Sequence, residues 1–213
     1  MNTLMKLSGA ILAGALIAGP ALAQTPAAIA GQGAAAVVNT AGINQQVASV
    51  ALPGDGGLAN ASSDALSLAG TITADGLATI TTGMMDLGTS SAQTTSEAAN
   101  VNLLNGLVVA RQVVAVASSY VSAGTAASDG AGSSLLGLRV GGVDLGDVTP
   151  APNTRMELPG VGYAILNEQS VSGDGAMTSG ITVNMIHVVL QDALTGQRTG
   201  EIIVGSARSA VGS

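Results

Sequence analysis

Apolar positions along the chain fall in short runs divided by glycine, proline, asparagine and aspartate, and that punctuation predicts strands. Residues 135–140, the pair Gly141-Gly142 and residues 143–148 read as a hairpin closed by a glycine turn. Residues 163–168, a Ser172-Gly173-Asp174-Gly175 connection and residues 181–190 read as a second hairpin with a longer loop. Thr195-Gly196 then turns the chain into a last strand from Glu201 to Val204 that ends near Ala207.

Upstream the pattern is weaker. Residues 101–121 form the strongest hydrophobic run after the N-terminal segment, rich in valine and interrupted by Arg111-Gln112. They predict two strands, or one bent strand with a bulge near Asn105-Gly106, because valine fits a pleated, half-buried surface. Four polar or charged residues in that run (Asn102, Asn105, Arg111 and Gln112) argue against a membrane span. From Ala36 to Asn100, Ala, Ser, Thr and Gly dominate, with turn chemistry at residues 53–57 and at Asp75-Gly76. Short alternating stretches there suggest half-buried strands, while residues 91–100 fit helix or strand. Residues 24–36 read as a flexible leader.

Regularly spaced short strands with glycine-rich turns predict an all-β domain over residues 37–210, a mostly antiparallel β-sandwich or flattened β-roll. Composition restricts how such a domain is held together. There is no Phe, Trp or Cys, so the core must come from Val, Ile, Leu, Met and Ala, and no disulfide helps it.

The first residues carry a different signal. Lys6, an apolar stretch from Leu7 to Ala18 and Ala21-Leu22-Ala23 have the layout of a secretory signal peptide over residues 1–23, cleaved before Gln24. The apolar stretch is shorter than the roughly 20 residues of a spanning helix. The expected product is secreted, to the extracellular space, the cell surface or the periplasm, with no membrane span after cleavage. It carries five arginines against thirteen acids, a net charge near −8. Scattered arginines on an acidic chain disfavour nucleic acid as a partner.

Candidate chemistry is sparse. His187 is the single histidine and, by strict alternation, shares a face with Ile181, Val183, Met185 and Val189. Without cysteine or a second histidine, no zinc site of the usual nitrogen and sulfur ligands can be assembled. No Gly-x-Ser-x-Gly elbow accompanies the serines, so no catalytic residue is assigned and no enzyme activity is expected. Asn167, Glu168, Gln169, Asn184 and His187 form the candidate ligand-binding group, since 167–169 end a strand beside the predicted partner of His187. No cofactor is required; calcium is the one candidate, with Asp144, Asp147, Asn153 and Asp174 as possible oxygen ligands.

A set of short motifs carries a resemblance. Asn153-Thr154, Leu158-Pro159-Gly160, Leu166-Asn167-Glu168-Gln169, Val183-Asn184-Met185-Ile186-His187-Val188 and Glu201-Ile202-Ile203-Val204-Gly205-Ser206-Ala207 resemble the bacterial choice-of-anchor P family, over roughly residues 90–208. The resemblance implies a secreted or surface-displayed protein. After Ala207 this chain shows neither the apolar tail nor the basic cluster of a sorting signal, so release, or retention by a partner, is expected. Together these features predict an exported structural or adhesive protein that works through self-association or a cell-surface or matrix partner. The alternative is a secreted binding module for a surface glycan or calcium.

Overall fold

A computed structural model describes residues 28–212 of the chain. The segment read as a signal peptide, residues 1–23, lies outside the described residues. Among the described residues, fourteen strands and no helix follow one another: β1 (Ala28–Thr40), β2 (Ile43–Val47), β3 (Val50–Ala51), β4 (Gly57–Leu68), β5 (Ile72–Asp86), β6 (Thr89–Leu103), β7 (Val108–Ser122), β8 (Thr125–Asp129), β9 (Ser134–Val140), β10 (Val143–Val148), β11 (Thr154–Leu158), β12 (Gly162–Gly173), β13 (Thr178–Gln191) and β14 (Arg198–Gly212). They form two seven-stranded antiparallel sheets. One runs β11-β12-β13-β14-β1-β2, with β3 also paired to β1. The other runs β10-β9-β7-β6-β5-β4, with β8 also paired to β7. The centres of the two sheets, β1, β13 and β14 against β5, β6 and β7, face each other as a β-sandwich.

The predicted hairpins form where turn chemistry is local. Gly141 and Gly142 take φ of 60° and 84°, the two left-handed positions that a tight hairpin between β9 and β10 requires. Residues 101–121 resolve into two strands, β6 and β7, divided by a turn over Leu104–Leu107 in which Asn105 and Gly106 both have positive φ. Residues 91–100 are strand throughout.

Three readings need correction. Residues 28–36 do not belong to a flexible leader: they are the first part of β1, which pairs with the C-terminal strand β14 on one side and with β2 and β3 on the other. Their small side chains made them look featureless, yet the sheet centre demands small side chains there, and Ala35 and Ala36 are fully buried. Asp75-Gly76 is not a turn between strands. It is a bulge inside β5, where the register with β6 shifts between Asp75 and Ala78 and Gly76 takes φ 53°.

The third concerns the face on which His187 lies. At one level of the first sheet, consecutive residues on four neighbouring strands are both buried: Ala35 and Ala36, Leu166 and Asn167, Met185 and Ile186, Val204 and Gly205. Asn167 (φ 50°) and Gly205 (φ 67°) absorb the irregularity, and a Cβ at Gly205 would lie 2.8 Å from Val113 Cγ1 of the other sheet. Alternation therefore changes phase. Ile181, Val183, Met185, Ile186 and Val188 join the core, while Asn184, His187 and Val189 turn to the outside.

The interior is layered. A large aliphatic cluster includes Leu103, Leu135, Leu138, Leu166, Met185 and Ile202, each side chain worth about 1.5–3 kcal/mol on burial. A smaller cluster of Ile29, Ala92, Val121, Ala126 and Val211 fills the other end. Between them lies a layer of buried hydroxyls and glycines. Thr79 bonds Ser96 (2.9 Å) and Thr81 bonds Thr94 (2.9 Å) within one sheet. Thr94 Oγ1 and Ser96 Oγ then donate across the sandwich to the carbonyls of Arg208 and Ser206, both at 2.8 Å. Further along, Ser119, Ser209, Ser128 and Ser179 form a chain with links of 2.6–2.8 Å.

Candidate functional site

The phase change at Met185-Ile186 assembles the most connected polar group on the surface. His187, on β13, stands in register between Ile165 of β12 and Ile203 of β14. Its Nδ1 lies 2.9 Å from Glu168 Oε2 and its Nε2 lies 3.0 Å from Glu201 Oε2. Arg198 also binds Glu201 Oε2. Glu168 Oε2 accepts a second hydrogen bond from Asn184 Nδ2 (2.7 Å), and Asn184 Oδ1 accepts one from Ser206 Oγ (2.8 Å). A chain of contacts thus crosses three strands from Arg198 to Ser206. His187 retains only 8% of its accessible surface, while the side chains of Glu168 and Glu201 keep 28% and 21%.

This geometry limits the chemistry. Both ring nitrogens face carboxylates, so the hydrogen bonds are complete when both carry a proton. The two carboxylates sit on opposite sides of the ring, which itself fills the space between them. Among the described residues, no serine or threonine hydroxyl bonds the ring, so it is not arranged as the base of a nucleophile. The arrangement suits a positioning and rigidifying role across β12, β13 and β14.

Of the candidate ligand-binding residues, Glu168, Asn184 and His187 come together, and Asn167 and Gln169 do not join them. Asn167 is buried at 3% and donates from Nδ2 to Pro150 O (2.7 Å), while Gln169 Nε2 donates to Asn167 Oδ1 (2.9 Å). Gln169 N also donates to Asn153 Oδ1 (2.9 Å). These residues fasten the segment between β10 and β11 onto β12. Glu201 and Ser206 enter the sequence reading only as part of the last strand and the resemblance motif, without a site role, and Arg198 does not enter it. The available signal was a lone acid opening the apolar run Glu201-Ile202-Ile203-Val204, two residues from the register partner of His187.

The four candidate calcium ligands are separately engaged. Asp144 Oδ1 accepts from Gly146 N (2.9 Å) within its hairpin. Asp147 Oδ1 accepts from Gly137 N (2.8 Å) and Arg111 Nη2 (2.7 Å), and these two partners, the backbone N–H first, hold its carboxyl below the usual range. Asn153 is tied to Gln169, as above. Asp174 Oδ1 accepts from the backbone N–H groups of Ala176, Met177 and Thr178 (3.0, 2.8 and 2.8 Å) and caps its own loop. Among the described residues, no three histidine or carboxylate side chains converge on a common ion position.

The Asp174 loop has a defined acid response. The Thr178 N–H, followed by those of Ala176 and Met177, lowers the Asp174 carboxyl from 3.8 to about 2. A depressed folded-state value means that the contribution is complete above the unfolded value and is lost as pH falls through the folded one. The protection of the Ala176, Met177 and Thr178 amides, taken relative to the exchange rate of the unstructured chain at each pH, is therefore expected to hold down to about pH 4 and to fall between pH 4 and 2. Asp174→Ala should abolish that protection at neutral pH.

Comparison with family models, with curated proteins and with solved structures finds no match to this chain.

Proposed function

We propose that the chain is an exported structural or adhesive protein, of the choice-of-anchor P kind, that acts by pairing the edge strand β4 with a second copy. The observation that carries this reading is the contrast among the sheet edges. β11 is five residues long and bears Arg155 and Glu157; β2 and β3 are short and separated at Ala48 (φ 49°); β8 is five residues long; and β10 is bulged and bears Asp144 and Asp147. These are the features that normally block edge-to-edge pairing. β4 lacks them apart from one charge, Asp64: it runs twelve residues without proline or a register shift, and pairs on one side, with β5.

An apolar surface borders that edge. On the outer face, Leu58 is opposite Thr82, which places it diagonally beside Ile80 and Met84. Leu58, Ile80 and Met84 are 58%, 42% and 62% exposed. Two acidic chains can approach here without bringing many carboxylates together. Export rests on the N-terminal pattern, and the locked His187 accords with a role that needs no catalytic base.

Sedimentation of the processed chain should show a concentration-dependent monomer–dimer equilibrium. Leu58→Glu with Asn60→Glu places acids on the exposed side of β4, where like charges meet in an antiparallel pair, and should leave monomer at every concentration with an unchanged melting temperature. A wild-type chain that stays monomeric at about 1 mM, well above the roughly micromolar Kd of a modest specific interface, would contradict the reading.

A further inference from the structure

The polar chain that starts at Arg198 ends at Ser206, and Ser206 lines a cleft of about 190 Å³ on the outer face of the first sheet. Ala34 floors it. Thr182, Ser206 and Arg208 stand on one side, with Gln32 from β1 and Gln46 and Ser49 from the β2–β3 region on the other. Among the described residues, no acidic side chain lines it, on a chain with thirteen acids.

Arg208 is the unusual member. Arg111, Arg155 and Arg198 each pair with a carboxylate, and Arg139 faces Asp144 across the β9–β10 register. Arg208 faces Gln32 on one side and Thr182 on the other. Among the described residues it is the one arginine with neither an ion pair nor an acidic cross-strand neighbour. Beside it, Gln46 Oε1 accepts from Ser49 Oγ (3.1 Å), which orients the amide and leaves its Nε2 as a donor. Ser206 Oγ spends its proton on Asn184 and so offers the cleft an acceptor.

We propose that this cleft binds the carboxylate of a sugar acid, a hexuronate unit. A guanidinium fork matches a planar carboxylate through two parallel hydrogen bonds. The Gln32 and Gln46 amides with the Thr182 and Ser206 hydroxyls supply the mixed donors and acceptors that ring hydroxyls need. The volume is below the roughly 300 Å³ at which drug-sized ligand pockets begin, which suits one unit. The proposal stands on the face and residues of the first sheet and does not depend on pairing through β4.

The test is a nitrogen–proton correlation NMR titration of the processed chain with sodium glucuronate, with acetate and glucose as separate arms. Glucuronate is expected to shift resonances at Gln32, Gln46, Thr182, Ser206 and Arg208 with a Kd of about 1 mM, and acetate and glucose to bind at least tenfold more weakly. Arg208→Gln should weaken glucuronate at least tenfold. Its side chain is exposed, and the Thr94 bond goes to its backbone carbonyl, so the fold is preserved. Thr182→Val gives a second, independent loss. A polygalacturonate arm separates the two sources of the ligand: tighter binding per chain identifies a polymer, and binding of the monomer alone identifies a free acid. No shifts at these residues, equal responses to acetate or glucose, or an Arg208→Gln chain that binds as well as wild type would overturn the proposal.

Discussion

Gly33→Ala is expected to destabilise the sandwich by about 3 kcal/mol or more, a fall of roughly 6–12 °C in Tm for a chain of this size. A Cβ at Gly33 would lie 2.8 Å from Ser206 O, Ser96 Oγ and Thr79 Cγ2 together. The first of these is backbone from the neighbouring strand, and the other two belong to the facing sheet, so no single rotamer change relieves the overlap. Gly31→Ala meets Thr81 Oγ1 first, then Thr94 Oγ1 at 3.0 Å. Removing that hydroxyl with Thr81→Ala should recover part of the loss, which gives the pair a coupling of about 1 kcal/mol in a double-mutant cycle. Gly54→Ala is the control: among the described residues nothing lies within 4 Å of its Cβ, and its effect should stay within about 0.5 kcal/mol. An unchanged Tm for Gly33→Ala would mean that the sheets are free to separate at the hydroxyl layer, and the account of the core would fail.

Those glycines also show why the first strand was unreadable from the sequence. Hydrophobic alternation announces a strand when large side chains fill the core, as in β9 with Leu135, Leu138 and Val140. In β1 two of the inner positions are Gly31 and Gly33 because Thr79, Thr81, Thr94 and Ser96 occupy the space between the sheets. The strand is specified by what it lacks. The hairpins at 141–142 and 173–178 are legible for the opposite reason: their glycines and Asp174 set the turn within a few residues.

The candidate site was half legible. Glu168, Asn184 and His187 are polar residues of two strands whose pairing the hairpin already implies. Their face is not legible, because alternation breaks at Met185-Ile186, where both side chains enter the core. The phase change there is a property of four strands at once, with Asn167 and Gly205 supplying the left-handed conformations. Glu201 and Arg198 depend on the register set after the turn at Thr195-Gly196, which a reading of single strands does not provide.

That site yields a prediction with a change of sign. His187→Ala removes the ring between Glu168 and Glu201, leaving Asn184 to partner the first and Arg198 the second. Two carboxylates, each mostly buried, then lose their shared donor, at a cost of about 2–3 kcal/mol. Glu168→Gln in the wild-type chain should itself cost about 1 kcal/mol, because one amide oxygen must replace an acceptor used by both His187 and Asn184. In the His187→Ala background the same Glu168→Gln change removes a part-buried acid left with only the Asn184 amide as a donor, and should raise stability. Urea denaturation of the four chains measures both effects. If Glu168→Gln destabilises equally in both backgrounds, the histidine does not mediate between the two carboxylates, and their apparent link across β12, β13 and β14 is a coincidence of position.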